Sequence, residues 1–282
     1  MSHQPSGAGI IRALTTDQQV RFAALDASPL WDGVRRGHPQ LEAPACAALV
    51  ELMAAALLLQ SRTFFSERLQ LLLKTAGRAK SVVADAWPDG GIRGMLDTWP
   101  GEPEAGPWLK PPGLLQVMRS NPAGQPYIGK LEMVDGPLQA QIEAYLLQSE
   151  QVQASMTLWC DPGSGESGGL LVEPMPGCPH ERMAILVAAI EGLEVVPLWE
   201  RTPPFLATWV NQGEGAEVLA RVEAHYRCRC DRASLVATLA GFGQERVDEL
   251  FRAEAPLEVR CDYCGKVYAI GPEELLGGGG LA

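Results

Sequence analysis

Cys228-Arg229-Cys230 and, after thirty intervening residues, Cys261-Asp262-Tyr263-Cys264-Gly265 bring four thiols into one short segment near the end of a 282-residue chain. Two close-spaced pairs of soft ligands predict a tetrahedral four-thiolate zinc site, one ion per chain, with Cys228, Cys230, Cys261 and Cys264 as the ligands. In the second pair Gly265 lets backbone amides turn toward the sulfurs. In the first, Cys-x-Cys forces both thiolates onto one side of an extended or sharply bent backbone. The competing readings are four buried structural thiols or a thioredoxin-type redox pair. Chance placement seldom yields both pairs, and the βαβ context of a thioredoxin motif is missing.

Between the pairs the pattern predicts two short helices, one carrying Leu235, Val236 and Leu239 before Gly241, the other Val247, Leu250 and Phe251. A strand over Leu257-Glu258-Val259-Arg260 then leads into the second pair. A core this small is marginal. Structural zinc contributes on the order of 10–16 kcal/mol to such units, against ~5–15 kcal/mol for an ordinary domain in all. The tail is therefore expected to be folded with zinc and unfolded without it. Zinc-bound thiolates are also open to peroxide or hypochlorite. Each pair is close enough in sequence for a local disulfide, Cys228–Cys230 and Cys261–Cys264, if the backbone brings the Cα atoms within ~4.4–6.8 Å. Oxidation would then expel the metal.

Upstream, Cys46, Leu49, Val50, Met53 and Leu57 recur at helical spacing behind Pro44, and Phe64, Leu69, Leu72 and Leu73 suggest a second helix ending at Gly77. Three hairpins follow. Ser81–Trp87 and Ile92–Leu96 flank Pro88-Asp89-Gly90-Gly91; Leu114–Arg119 and Tyr127–Met133 flank Asn121-Pro122-Ala123-Gly124; Met156–Trp159 and Gly169–Val172 bracket Asp161–Gly165. A helix through Ile142, Tyr145 and Leu146 lies between the second and third. The expected class is α+β: an antiparallel-rich N-terminal domain over 1–177, a helical linker over 178–225, and a small four-cysteine zinc-binding domain over 226–282 with a disordered Gly277–Gly280 tail. Within the linker, Glu181–Leu193 reads as a helix and Thr202 as the N-cap of another through Pro203-Pro204. Residues Ala216–His225 read as a third helix or a mix of helix and strand.

Charge and hydropathy bound the partners. The 23 Lys+Arg against 34 Asp+Glu leave a net −11, which argues against nucleic acid and against an anionic membrane surface. The most apolar run, Ala43–Leu59, is broken by Glu51 and falls short of the ~20 residues of a bilayer span. The first residues carry neither a basic nor an apolar signal region, so the expected compartment is cytoplasmic and reducing.

The tail motif, with Tyr226 and Arg227 before the first pair, resembles that of the bacterial redox-regulated 33-kDa heat-shock chaperone family. Three upstream segments are similar to family segments in the same order: Gln125–Gly129, Tyr145–Gln151 and Gly168–Gly177. The resemblance implies an ATP-independent holdase rather than an enzyme. It is quiet when reduced and zinc-loaded. When oxidised it loses zinc, its linker unfolds, it dimerises, and it holds unfolding client proteins. The four ligands carry over to Cys228, Cys230, Cys261 and Cys264, and the family's disulfides to the same-motif pairs. The alternative function is a constitutive zinc-dependent interaction module, RNA being one partner to test. A zinc hydrolase ranks last, because four cysteines leave no open coordination position.

Other residues take bland readings. Cys46 is a buried small hydrophobe, Cys160 a structural residue at a strand end, Cys178 a loop thiol and His225 a solvated histidine. Glu150 caps or pairs locally. Gly168-Gly169 lacks the Lys-Ser/Thr and helix opening of a phosphate cradle. Met183, Trp199 and Trp209 are expected to be packed with zinc bound and exposed afterwards.

Overall fold

A computed structural model describes residues 9–63, 68–101, 105–121, 124–213, 215–242 and 256–276. The chain divides into two compact units, residues 1–227 and 228–282.

The first unit is organised by one helix. Helix α2 (Ala43–Ser61) is apolar on every side, with fifteen of its residues buried. Nothing in its sequence selects one face. It is long and apolar enough to cross a membrane, yet 83% of its most apolar window is enclosed by protein. Enclosure, not the interruption at Glu51, is what explains its composition. Two sheets lie on either side of it. One has six strands: β3 (Leu69–Thr75), β4 (Ala79–Ala86), β5 (Gly91–Thr98), β6 (Gly113–Asn121), β7 (Gly124–Glu132) and β11 (His225–Tyr226), in the order β11-β5-β4-β3-β6-β7. The other has five: β1 (Ile10–Thr15), β2 (Val20–Asp26), β8 (Ser155–Cys160), β9 (Ser167–Pro174) and β10 (Ala216–Val222), in the order β10-β1-β2-β9-β8. Helix α1 (Ser28–Gly37) packs on α2, and α3 (Leu138–Glu150) on β7 and β8.

All three expected hairpins form: β4 with β5, β6 with β7, β8 with β9, each antiparallel. The expected helix through Leu69, Leu72 and Leu73 does not. Those residues belong to β3, a central strand between β4 and β6. Its buried positions are Leu69, Leu71, Leu73 and Thr75, with Gln70, Leu72 and Lys74 on the other face. A leucine-rich run fits periods of two and of three to four equally well, so only its sheet neighbours decide. Phe64, read as part of the same helix, lies outside the described residues. The first forty residues contain a β1–β2 hairpin and α1, neither of them expected from the sequence.

The stretch expected as a helical linker supplies α4 (His180–Glu191), two short 3-10 turns, and α5 (Pro203–Val210). Thr202 caps α5 as expected, its Oγ1 accepting from the Phe205 N–H at 3.4 Å. Residues 216–222 are strand β10, paired with β1 from Ile10↔Val222 to Thr15↔Ala216. The region is thus built into the five-stranded sheet and packed on its outer face. There Ile11, Ala13, Val20, Phe22, Ala24, Trp159, Leu170 and Val172 form a continuous apolar surface. Met183, Leu186, Ile190 and Leu193 from α4 and the turn after it, with Leu206 and Val210 from α5, cover it. Layers therefore run sheet, helix, sheet, helix.

Met183 is buried, as expected. Trp209 is partly buried, its Nε1 donating to Ala189 O at 2.8 Å. Trp199 corrects the expectation: it is 65% exposed, on a 3-10 turn too short to present a packed face.

Candidate metal centre

The second unit places its chemistry at two chain reversals. Cys228 and Cys230 precede α6 (Arg232–Ala240), whose start is fixed by Asp231: its Oδ1 accepts from the Ser234 N–H at 2.8 Å. Cys261 and Cys264 lie on the turn joining β12 (Leu257–Arg260) to β13 (Val267–Ile270). The turn closes by Gly265 N–H donating to Cys261 O (2.8 Å) and Cys261 N–H to Lys266 O (2.9 Å). Gly265 holds φ +69°, the left-handed conformation that glycine adopts without steric cost. Helix α7 (Pro272–Leu276) ends the described part, and Arg232 binds it to α6 through Glu274 at 2.7 Å.

The four sulfurs predicted as ligands come together, all within 4.8 Å of one another. Cys228 and Cys261 Sγ are 3.7 Å apart, Cys230 and Cys264 Sγ 3.4 Å. A tetrahedron of sulfurs ~2.3 Å from a central ion has edges of about 3.8 Å, whereas a disulfide measures ~2.05 Å. The spacing fits four ligands around one metal ion. The closest contacts each join one cysteine from either reversal, so a central ion would cross-link the two halves of the unit.

Electrostatics point the same way. Burial raises the Cys261 and Cys264 thiols, and the neighbouring cysteines raise them further. Burial also opposes ionisation of Cys230, but the Tyr268 hydroxyl and the adjacent thiols outweigh it and its pKa falls. Tyr268 Oη donates to Cys230 O at 3.1 Å and lies 3.3 Å from Cys230 Sγ. Four sulfurs this close repel one another as thiolates unless a cation sits among them. The apolar core of the unit is correspondingly thin: among the described residues Tyr268, Ile270 and Leu275 are buried, with Leu235, Val236, Leu239 and Val259 half-buried against them. The expected helix through Val247, Leu250 and Phe251 and the Gly277–Gly280 tail lie outside the described residues.

The remaining thiols lie outside this cluster, each with its pKa raised. Cys46 is fully buried and its thiol raised by that burial. Cys160 is pushed up to about 12, by burial first and then by the carboxylate of Glu51. Desolvation raises Cys178 as well. His225 lies in β11 of the first unit, Nδ1 3.3 Å from Glu223 O.

Glu150 corrects the expectation of a local pairing. Its Oε2 accepts from Arg62 at 2.6 Å, and its Oε1 lies 2.7 Å from Arg119. Arg62 also reaches Glu173 at 2.5 Å, and Glu173 reaches Arg21 at 3.0 Å. The chain Arg21–Glu173–Arg62–Glu150–Arg119 alternates in sign and ties β2 and β9 of one sheet to β6 of the other past the ends of α2 and α3. Burial opposes ionisation of Glu150, yet the two arginines hold its pKa below the ordinary value. Partners 88 and 111 residues distant leave no local signal in sequence.

Together these features define a two-unit α+β protein: a helix enclosed by two sheets, a helical cover on one of them, and a four-cysteine tail shaped for a metal ion. The family model described as Hsp33 protein matches residues 9–271, and the chain belongs to that family. The 33 kDa chaperonin of Acaryochloris marina is 28% identical over 94% of both chains. That of Thermus thermophilus is 30% identical over 94% of this chain and 85% of its own. Among solved structures, a 33 kDa chaperonin (heat shock protein 33 homolog) from Thermotoga maritima superposes with a TM-score of 0.80 at 21% identity, covering 96% of this chain and 97% of its own. The similarity thus includes both units.

Proposed function

We propose that this protein is a zinc-dependent, redox-controlled holdase, with Cys228, Cys230, Cys261 and Cys264 as the ligands of one Zn²⁺. The observation that carries the reading is the gathering of those four sulfurs within 4.8 Å in a unit with only three buried core side chains among its described residues. Zinc supplies the divalent charge that lets four thiolates share one small space, and with it the cross-link the apolar core lacks.

Oxidation removes that charge balance at its source. Cys228 and Cys230 each give up one electron and join, and Cys261 and Cys264 do the same. Each disulfide consumes one peroxide and two protons and yields two waters. Sulfurs in a disulfide are no longer anions and no longer hold the ion. The tail then has too little buried surface to stay folded.

Strand β11 precedes Cys228 directly in the chain, with β10, α5 and α4 successively before it. Loosening that begins at the tail releases β11 and β10, then the cover of α4 and α5. The surface uncovered is the apolar face of Ile11, Val20, Phe22, Leu170 and Val172, broad enough to hold exposed apolar segments of an unfolding client. Two such faces on separate molecules also account for dimerisation of the oxidised form. A reducing cytoplasm keeps the resting form loaded.

The test is hypochlorous acid, or peroxide at raised temperature, applied to purified zinc-loaded protein. One zinc per chain is expected to leave as four thiols disappear, and aggregation of a chemically denatured client to be suppressed from that point. Zinc retained while all four thiols are oxidised refutes the mechanism. Client protection that is equal before and after oxidation indicates a constitutive module instead. Steeply salt-dependent RNA binding would identify that module as an RNA reader.

A further inference from the structure

Strand β13 alternates: Val267 and Ala269 are exposed, while Tyr268 and Ile270 are buried. The Tyr268 ring, 5% exposed, shares the core of the second unit with Ile270 and Leu275 and pairs across the ladder with Val259 of β12. Lys266 covers the ring, its Nζ 4.7 Å from the centroid. Packing thus fixes the ring, and with it the direction of its hydroxyl. That hydroxyl belongs to the half of the unit that carries Cys261 and Cys264, yet it reaches the other half. Oη is 3.1 Å from Cys230 O and 3.3 Å from Cys230 Sγ, so one phenolic proton lies within reach of both acceptors.

The second pair of sulfurs is served differently. Cys261 Sγ accepts from the backbone amides of Tyr263 and Cys264, and Cys264 Sγ from that of Lys266. Those donors come with the backbone path of the turn itself. The donor to Cys230 is a side-chain hydroxyl, which filling the core does not require: a phenylalanine ring would occupy the same space. A hydrogen bond to a charged sulfur stabilises it relative to the uncharged product of its attack. A thiolate stabilised in this way is a weaker nucleophile.

We infer that Tyr268 is a positioning residue that damps the reactivity of Cys230 and so raises the amount of oxidant needed to open the metal centre. The inference rests on the redox reading proposed above and deepens it. The step it slows is attack by the Cys230 sulfur on one peroxide oxygen: an S–O bond forms, the O–O bond breaks, hydroxide leaves and a sulfenic acid remains. The Cys228 thiolate then displaces hydroxide from that sulfur, and the disulfide closes. Hydrogen bonds to the ligands of a metal change its affinity or activity by about 10–100-fold. A proton shared with Cys230 O places the effect at the lower end, about tenfold.

The test uses the full-length reduced chain, first assayed for zinc and then treated with iodoacetamide, whose iodide the attacking sulfur displaces. Mass spectrometry of chains modified once, at low conversion, gives each cysteine's share before the first alkylation disturbs the others. In the unaltered protein Cys230 should take a smaller share than Cys228. Tyr268→Phe, which keeps the ring, should raise the Cys230 share relative to Cys228 about tenfold, and half-release of zinc should require severalfold less peroxide. Ile270→Val loosens the same core without touching the hydroxyl and should leave the shares as they were. A merely structural tyrosine predicts another pattern, in which all four cysteines speed up together in both variants. That pattern overturns the inference. So does Cys230 leading in the unaltered protein, or a Cys230 share or peroxide requirement unmoved by Tyr268→Phe. If Tyr268→Phe fails to fold, the shares in the unaltered protein decide the matter. A purified chain that takes up no zinc overturns the metal reading beneath the inference, a failure distinct from a zinc-loaded chain with unmoved shares.

Discussion

Leu206→Ala tests whether the α4–α5 cover is the gate over the client surface. Leu206 is fully buried at the centre of that cover, against β1 and β2. Truncating a buried leucine costs ~2–5 kcal/mol, according to how far the cavity left behind collapses. The cover is a thin layer held on one side only, so its neighbours can relax and a value near ~3 kcal/mol is expected. If the cost falls on the closed cover alone, the population of the open form rises about a hundredfold, since ~1.4 kcal/mol is a factor of ten. Two measurements on reduced, zinc-loaded protein check this. Native-state hydrogen exchange over residues 180–210 should accelerate by about two orders of magnitude while α2 amides stay unchanged. Aggregation of a thermally unfolding client should be suppressed without any oxidant. If exchange accelerates as expected and no client is held, the apolar sheet face is not the client surface. If exchange is unchanged, the cover does not open separately from the rest of the unit.

Arg62→Met should destabilise the first unit by about 3 kcal/mol, because it strands two buried carboxylates with one partner each; the denaturant midpoint reads it. The same network predicts acid sensitivity. Glu150 has a depressed pKa, so its stabilisation is present above the ordinary carboxylate range and is lost as pH falls through its folded value. Glu51 works in the opposite sense. Burial raises it from 4.5 to about 7, so its contribution is full below about pH 4.5 and declines as pH rises to about 7. Glu51→Gln should flatten that window and stabilise the protein at about pH 8 by up to about 3 kcal/mol in thermal melts. If the four cysteines hold a metal as proposed, a chelator under reducing conditions should abolish the protease resistance and tertiary signals of the second unit while the first unit's melting transition persists.

What is legible in the sequence follows the range of the interactions involved. Each hairpin lies within a few residues of its own turn signal, and Thr202 announces its helix through the two prolines after it; such contacts are local and therefore readable. The four sulfurs are distant along the chain but chemically conspicuous, since few pressures other than a shared ligand place cysteines in two tight pairs. Strand β3 misleads because five leucine or threonine positions in seven can satisfy either period, and the deciding fact is its place between two other strands. Strand β10 leaves two alternatives open for a related reason: its burial is slight, so it carries little alternation, and its partner is at the opposite end of the unit. The Arg62 network is least legible of all, because an arginine at a helix end and two distant glutamates look like ordinary surface charge until the fold encloses them.

The pairing of Ile10 with Val222 joins residues more than two hundred positions apart, and this order matters during synthesis. A ribosome makes β1 almost first and β10 last among the strands of its sheet. Through most of translation the nascent chain therefore carries an open strand edge awaiting its mate, together with an uncapped greasy face. Until β10 emerges, the sheet cannot close that edge, and the pairing must wait for a loop closure of more than two hundred residues.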